Sequence, residues 1–221
     1  MKTLLYTSLL SCLCCCQPSS LNKITTSDAA MSPKDTLTPI WNDRLQVIGD
    51  FDGDNALDTL REHYLDGNTK KETNKYSTKI SYDSMVRLAV NKNSYSFVTS
   101  NNEKIDTLRI ASGGQVFGLS YLKNEGDLNN DGRDEISYVI DWADWSSVNT
   151  CHISTFDDEK WIELYSFPIR DWQISEPTHE FTGFMKPVNN DETEIYFINK
   201  EGLEDTVRIK LTEITHKKSH K

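Results

Sequence analysis

Two short acidic segments constrain this chain more than any other feature of its sequence. The first reads GDFDGDNALD (49–58) and the second reads GDLNNDGRDE (126–135). Carboxylates this close together repel one another unless a cation lies among them. Each segment runs into residues that alternate in the manner of a β-strand. The two segments therefore predict tight metal-binding loops that lead into strands.

The spacing of the oxygen-bearing side chains favours Ca²⁺. In both segments they stand at positions 1, 3, 5 and 9, namely Asp50, Asp52, Asp54 and Asp58, then Asp127, Asn129, Asp131 and Glu135. Ca²⁺ takes about 6 to 8 oxygen ligands, and backbone carbonyls at position 7 are expected to add to these side chains. Acidic turns without metal are the alternative, which the presence of two matched copies disfavours.

The loops do not match an EF-hand, which requires a glutamate at position 12. Arg61 and Tyr138 stand there instead. At position 6 the second loop has Gly132, which permits a sharp turn, and the first has Asn55, the next most tolerant residue.

A loop that closes at position 9 and leads directly into a strand resembles the calcium-binding loop of FG-GAP or VCBS repeats, the blades of integrin-like β-propellers. The resemblance covers 47–60 and 124–141 and implies structural Ca²⁺. A closed ring takes at least four blades, more than 221 residues comfortably supply. We expect an all-β fold of two or three compact, blade-like antiparallel sheets, either incomplete and propeller-like or a sandwich, and not a full ring.

Short segments rich in β-branched and aromatic residues support this fold. Strands are predicted at 135–141, 150–156, 160–167, 193–199 and 205–211, with hairpin turns at DDEK and KEG. Residues 85–100 predict a further hairpin that turns at Asn91 to Ser94. Residues 56–67 fit a strand or a helix, and the strand is preferred because a clear strand follows the second acidic loop.

The N-terminal segment MKTLLYTSLLSCLCCCQPSS is typical of an export signal. A positive charge at Lys2 precedes an apolar stretch that is shorter than the roughly 20 residues of a membrane span. The segment resembles a bacterial lipoprotein signal, in which a cysteine is acylated and becomes the N-terminus. Leader length favours Cys16, whereas Ser11 favours Cys12. An ordinary secretory signal is the alternative.

These features divide the chain into a signal (1–16), a flexible tether (17–39), a calcium-binding domain (40–215) and a basic tail (216–221). As a whole the chain resembles small lipoproteins of Bacteroidota-type envelopes. We therefore expect a lipid anchor in a membrane of the bacterial cell envelope, either in the outer membrane or facing the periplasm.

Charge and motifs limit the possible functions. The net charge of −10 argues against nucleic acid as a partner. The five histidines lack metal-ligand spacing, and the sequence has no nucleophile elbow or phosphate-binding loop. In DWADW, Trp142 and Trp145 are expected to form aromatic core at the end of a strand, with a platform for a sugar as the alternative.

The sequence thus predicts a non-catalytic envelope module that binds a protein or a glycan. Two alternatives stay open. One is a divalent-dependent hydrolase that uses Asp141 or Asp144 with His152, and the other is a structural accessory of an envelope complex.

Overall fold

A computed structural model describes residues 44–77, 79–175, 183–189 and 192–211. All of these belong to the unit formed by residues 36–221. The predicted signal, tether and tail lie outside the described residues, as do Cys12 and Cys16. Within the described ranges, no helix has the length and apolar character needed to cross a membrane.

The described chain forms strands and two helices in the following order. The first part contains β1 (Gln46–Gly49), β2 (Asp58–Leu65), α1 (Tyr82–Lys92), β3 (Tyr95–Ser100) and β4 (Leu108–Ala111). The middle part contains β5 (Val116–Gly126), β6 (Glu135–Trp142), β7 (Val148–Asp157), β8 (Lys160–Arg170) and the single turn α2 (Trp172–Ser175). The last part contains β9 (Met185–Pro187), β10 (Thr193–Ile198) and β11 (Glu204–Ile209).

The strands form three antiparallel sheets, and the predicted all-β class is confirmed. Sheet A has the order β1-β2-β3-β4, sheet B the order β5-β6-β7-β8, and sheet C the order β11-β10-β9. Sheets A and B are both simple meanders, in which each strand pairs with the next along the chain. None of the three sheets in the described part closes into a barrel or a ring.

Sheet B packs against both of the other sheets, and β6 shows this most clearly. Ile136, Tyr138 and Ile140 point into a core shared with Leu60 and Val98 of sheet A. Val139, which lies between Tyr138 and Ile140, points into a second core. This core contains Ile195 of sheet C together with Cys151, Leu164 and Phe184. Side chains alternate across a strand, so a strand covered on both faces is apolar along most of its length.

The hairpins predicted around DDEK and KEG are confirmed as β7–β8 and β10–β11. The ambiguous segment 56–67 contains strand β2, as preferred from the sequence. Its alternate residues Leu60, Glu62 and Tyr64 are buried, which is the period of a strand and not of a helix.

The predicted hairpin at 85–100 is wrong in its first half, because residues 82–92 form helix α1. Ser81 caps the helix by accepting a hydrogen bond from the Ser84 N–H, and Asn93 ends it in the left-handed conformation with φ of 50°. Tyr82, Met85, Val86 and Ala89 pack together at the i, i+3, i+4 and i+7 spacing of a helix. The second half of the prediction is confirmed as β3.

Candidate metal centre

The two acidic loops occupy equivalent places in two sheets of the same topology. The first loop connects β1 to β2, and the second connects β5 to β6. Cross-strand pairs close both loops at matching positions, Gly49 with Asp58 and Gly126 with Glu135. Sheets A and B are therefore two copies of one unit, a four-stranded meander with an acidic loop between its first and second strands.

Hydrogen bonds within the loops match position by position. The position-1 carboxylate accepts the N–H groups of positions 5 and 6. These distances are 3.1 Å and 2.8 Å from Asp54 and Asn55 to Asp50, and 3.1 Å and 2.9 Å from Asp131 and Gly132 to Asp127. The position-9 carboxylate accepts the N–H of position 2, from Phe51 to Asp58 at 3.3 Å and from Leu128 to Glu135 at 2.7 Å. The two loops thus share one backbone conformation.

This conformation places positions 4 and 6 in the left-handed region. Gly53 and Asn55 have φ of 77° and 65° in the first loop, and Asn130 and Gly132 have φ of 60° and 85° in the second. Each loop has one glycine and one asparagine at these positions, in opposite order. Asparagine tolerates this region better than most residues that have a Cβ. The first loop therefore closes although it lacks the position-6 glycine.

Carboxylates converge in the first loop. Asp50, Asp52 and Asp58 each present an oxygen within 4.8 Å of the other two. The Asn102 side-chain amide, from the turn between β3 and β4, donates to Asp52 Oδ2 at 3.0 Å and to Asp58 Oδ1 at 2.9 Å. Two of these carboxylates thus already share one donor group, and the chemistry of the three oxygens fits a hard cation such as Ca²⁺.

Asp54, the fourth predicted ligand of this loop, lies outside that convergent set. Its side chain accepts the Ala56 N–H at 3.0 Å and pairs with the Lys104 Nζ at 3.2 Å. The backbone hydrogen bond from Ala56, followed by the Lys104 contact, lowers the pKa of Asp54. Lys104 is well exposed, so the contact is weak and a cation would compete with it readily.

In the second loop an arginine forms an ion pair with one of the predicted ligands. The Arg133 guanidinium contacts both carboxylate oxygens of Asp131, with Nε at 3.2 Å and Nη2 at 3.0 Å, and its Nη1 reaches Asp157 at 2.7 Å. These two acids raise the pKa of Arg133 although its partial burial opposes them. Arg133 stands at position 7, where the first loop has Ala56.

Glu135 supplies the best evidence that the second loop fits a cation. The side chain is fully buried, and its Oε1 has no hydrogen bond of normal geometry within the described part of the chain. Burial raises the pKa of Glu135 to about 8, with the Asp131 and Asp127 charges adding to the rise. The Leu128 N–H and the nearby Thr155 hydroxyl act in the opposite direction. A cation held beside Asp127, Asn129 and Glu135 would satisfy this buried oxygen.

Residues outside the predicted ligand set join the two loops to each other. The Asp134 N–H donates to the Asp50 carbonyl oxygen at 2.8 Å, and the Asp50 N–H donates to Asp134 Oδ2 at 3.0 Å. Asn124 extends the link by donating to Asp134 Oδ2 at 2.8 Å and to the Ile48 carbonyl at 2.9 Å. Nothing in the sequence indicated this role for Asp134 or Asn124, or the contacts of Asn102.

The two tryptophans of DWADW lie at the end of β6, away from the loops. Trp142 and Trp145 are 38% and 74% exposed. The Trp145 ring packs edge-on against Tyr82 with 4.8 Å between centroids. Both indoles thus lie on the surface, and the prediction that they form aromatic core is wrong.

The groups of the hydrolase alternative have separate partners. Asp141 accepts a hydrogen bond from the Tyr76 hydroxyl, and Asp144 accepts the Ser146 N–H at 2.8 Å. His152 Nδ1 pairs with Glu163 at 2.6 Å, and its ring stacks on Tyr138. The structure does not join Asp141 or Asp144 to His152.

Comparisons with protein-family models, curated proteins and solved structures found no match to this chain. The interpretation of its site therefore depends on its own residues.

Proposed function

We propose that this chain is a lipid-anchored protein of the bacterial cell envelope, a non-catalytic binding module for a protein or glycan, and that structural Ca²⁺ joins its two meander sheets. The observation that carries the proposal is the convergence of Asp50, Asp52 and Asp58 in a loop whose conformation is repeated at Asp127. The envelope location is supported by the lipoprotein-like signal with Cys16 or Cys12.

The first loop is the stronger cation site in this proposal. Asp50, Asp52 and Asp58 would hold the ion, and Asp54 would join them by leaving Lys104. The second loop would use Asp127, Asn129 and Glu135, with Asp131 available once Arg133 moves away. The second loop is the weaker site because the Arg133 guanidinium already neutralises Asp131.

A structural role fits the position of the loops better than a catalytic one. The side chains at positions 1, 3 and 9 also accept backbone N–H groups of their own loop, so they already serve the fold. A cation that neutralised them would stabilise the folded state alone. An ion that binds only the folded state adds about 2.7 kcal/mol at a hundredfold excess over its Kd.

Thermal unfolding of the domain in Ca²⁺ and in chelator tests this proposal. We expect Ca²⁺ to raise the unfolding midpoint and Asp52→Asn to remove most of that rise. Asp83→Asn is the matched control, because Asp83 is exposed on α1 and belongs to neither loop. A midpoint that Ca²⁺ leaves unchanged would show that the aspartates are turn residues only.

Palmitate labelling tests the anchor separately. The mature wild-type protein should carry the label, and the Cys12→Ser, Cys16→Ser double variant should not. An unlabelled, soluble wild-type protein would contradict the proposed location.

A further inference from the structure

A small cavity lies where β6 ends, on the side of the domain that carries the tryptophans. Its volume is about 190 Å³, and aromatic rings and carboxylates line it, among them Tyr76, Tyr82, Trp142, Asp141 and Asp171. Pockets for drug-sized ligands measure roughly 300 to 1,000 Å³. This cavity therefore suits one small chemical group and not an extended chain.

The aromatic wall is fixed by packing. Phe117, which is buried, lies under both tyrosines, with centroids 5.1 Å from the Tyr76 ring and 6.0 Å from the Tyr82 ring. The Tyr82 hydroxyl donates to the Asp144 carbonyl, and the Tyr76 hydroxyl donates to Asp141. Both tyrosine rings are thus fixed by packing and by a hydrogen bond from the hydroxyl. Trp142, which is 38% exposed, completes the aromatic wall.

The charge around the cavity is negative. Asp141 and Asp171 both line it. The nearby cation Lys75 is paired with Glu62 at 2.6 Å, and both side chains are almost fully buried, so the pair has no net charge. Burial, together with the charges of Asp171, Glu62 and Asp144, raises the pKa of Asp141 to about 7 against the opposing charge of Lys75. Asp141 therefore adds to the negative charge of the cavity mainly above about pH 7.

Three of the hydrogen-bond donors that line the cavity already have acceptors in the protein. The Asn149 amide donates to Asp171 Oδ1 at 2.5 Å, the Ser120 hydroxyl to the Val139 carbonyl at 3.5 Å, and the Ser146 hydroxyl to the Val148 carbonyl at 3.0 Å. A neutral sugar needs both donors and acceptors from its site. A positively charged group needs only negative charge and aromatic faces.

We infer that this cavity binds an organic cation, a primary or quaternary ammonium group, between the faces of Tyr76, Tyr82 and Trp142 and the carboxylates of Asp141 and Asp171. Ring faces attract a cation through their negative quadrupole, and the attraction grows when water is excluded. The inference rests on the proposed binding role and specifies its ligand, but it depends on neither the metal site nor the anchor.

Titration calorimetry with choline and with 3,3-dimethylbutan-1-ol, its uncharged isostere, tests the inference. We expect choline to bind at least about tenfold more tightly than the isostere, because only the charge differs. Trp142→Ala and Asp171→Asn should each weaken choline binding by about tenfold, a difference of about 1.4 kcal/mol. Asp205→Asn is the control, because Asp205 is exposed on β11 and does not line the cavity.

Two outcomes would overturn the inference: equal binding of both compounds, or no binding of either. Circular dichroism of each variant shows whether it folds. If Trp142→Ala does not fold, the conservative Asp171→Asn variant still decides the test. The Ca²⁺ dependence of the unfolding midpoint is measured on the same samples. Failure of the cation site therefore leaves the metal proposal standing, and failure of the metal proposal leaves the cation site standing.

Discussion

Asp50 and Asp134 are hydrogen-bonded to each other in both directions. The Asp134 N–H donates to the Asp50 carbonyl oxygen, and the Asp50 N–H donates to Asp134 Oδ2. Asp50 opens the first acidic loop, and Asp134 stands at position 8 of the second. This pair joins the loops of two sheets, so a cation bound in either loop would act on a contact between the sheets and not on one turn alone.

Removal of the Asp134 side chain should therefore destabilise the domain. Asp134→Ala leaves the Asp50 N–H and the Asn124 amide without their acceptor, and we expect a loss of about 1–3 kcal/mol in the free energy of unfolding. Asp157→Ala, which removes a half-exposed partner of Arg133, should cost less than about 1 kcal/mol. Urea denaturation in the presence of chelator measures both. Equal losses in the two variants would contradict the proposed role of Asp134.

Arg133→Ala should strengthen Ca²⁺ binding by the second loop. The substitution frees both oxygens of Asp131 and gives position 7 the alanine that the first loop has there. Calorimetry should show the second site tightening by about tenfold or more, the effect of removing a competing charge-assisted contact. Arg133→Lys keeps the charge but not the two-pronged contact, and its gain should be smaller. An unchanged second site in Arg133→Ala would show that the guanidinium does not compete with the ion.

The buried pair of Glu62 and Lys75 predicts a large stability effect away from the loops. Glu62 also accepts the Leu45 N–H at 3.1 Å and the Leu119 N–H at 2.7 Å, so it ties sheet A to β5. Glu62→Ala should cost about 3–5 kcal/mol, because it leaves a buried ammonium without its partner. Lys160→Ala removes the partner of Asp158 in an exposed ion pair and should cost less than about 1 kcal/mol. Similar unfolding midpoints in urea for the two variants would refute this ranking.

Asp141 predicts a pH dependence of stability. Its pKa rises from 3.8 to about 7 on folding, so the folded state holds the proton more tightly. This contribution to stability is full below about pH 4 and is lost as the pH rises to about 7. The groups around the carboxyl are Tyr76, Asp171, Glu62, Asp144 and Lys75.

The Asp141→Asn variant has no carboxyl group to titrate, and its amide oxygen can still accept the hydrogen bond from the Tyr76 hydroxyl. The difference in unfolding midpoint between Asp141→Asn and wild type should therefore shift in favour of the variant as the pH rises from about 4 to about 7. Above about pH 7 this difference should stay constant. Thermal scans in chelator at several pH values measure this, with Asp83→Asn as the control. A constant difference between Asp141→Asn and wild type across the range would show that the carboxyl titrates normally.

Local patterns were enough to predict much of the fold. Strands β6, β7 and β8 follow from short β-branched runs between turn residues, and the repeat of the acidic loop indicated repeated sheets. Strand β5 was not predicted, because Gly118 interrupts its apolar run and its pairing with β6 shifts register three times. Helix α1 was missed because the alternation of Val86, Leu88 and Val90 also fits a strand.

The residues of the candidate site also divide into those that the sequence indicated and those that it did not. Spacing alone indicated the eight oxygen-bearing side chains, since all lie within ten-residue segments. It could not indicate Asn102, which reaches Asp52 from 50 residues further along the chain. Nor could it indicate that Arg133 turns towards Asp131 and Asp157, because that choice depends on where β7 ends.

A crystal structure of the domain grown with Ca²⁺, with anomalous scattering recorded, would show whether the first loop holds the ion. We expect an anomalous peak between the carboxylates of Asp50, Asp52 and Asp58, with oxygen ligands at about 2.3–2.6 Å. A peak in the second loop should be weaker, and should be accompanied by movement of the Arg133 guanidinium away from Asp131. A crystal saturated with Ca²⁺ that shows no peak among Asp50, Asp52 and Asp58 would show that the first loop is not a Ca²⁺ site.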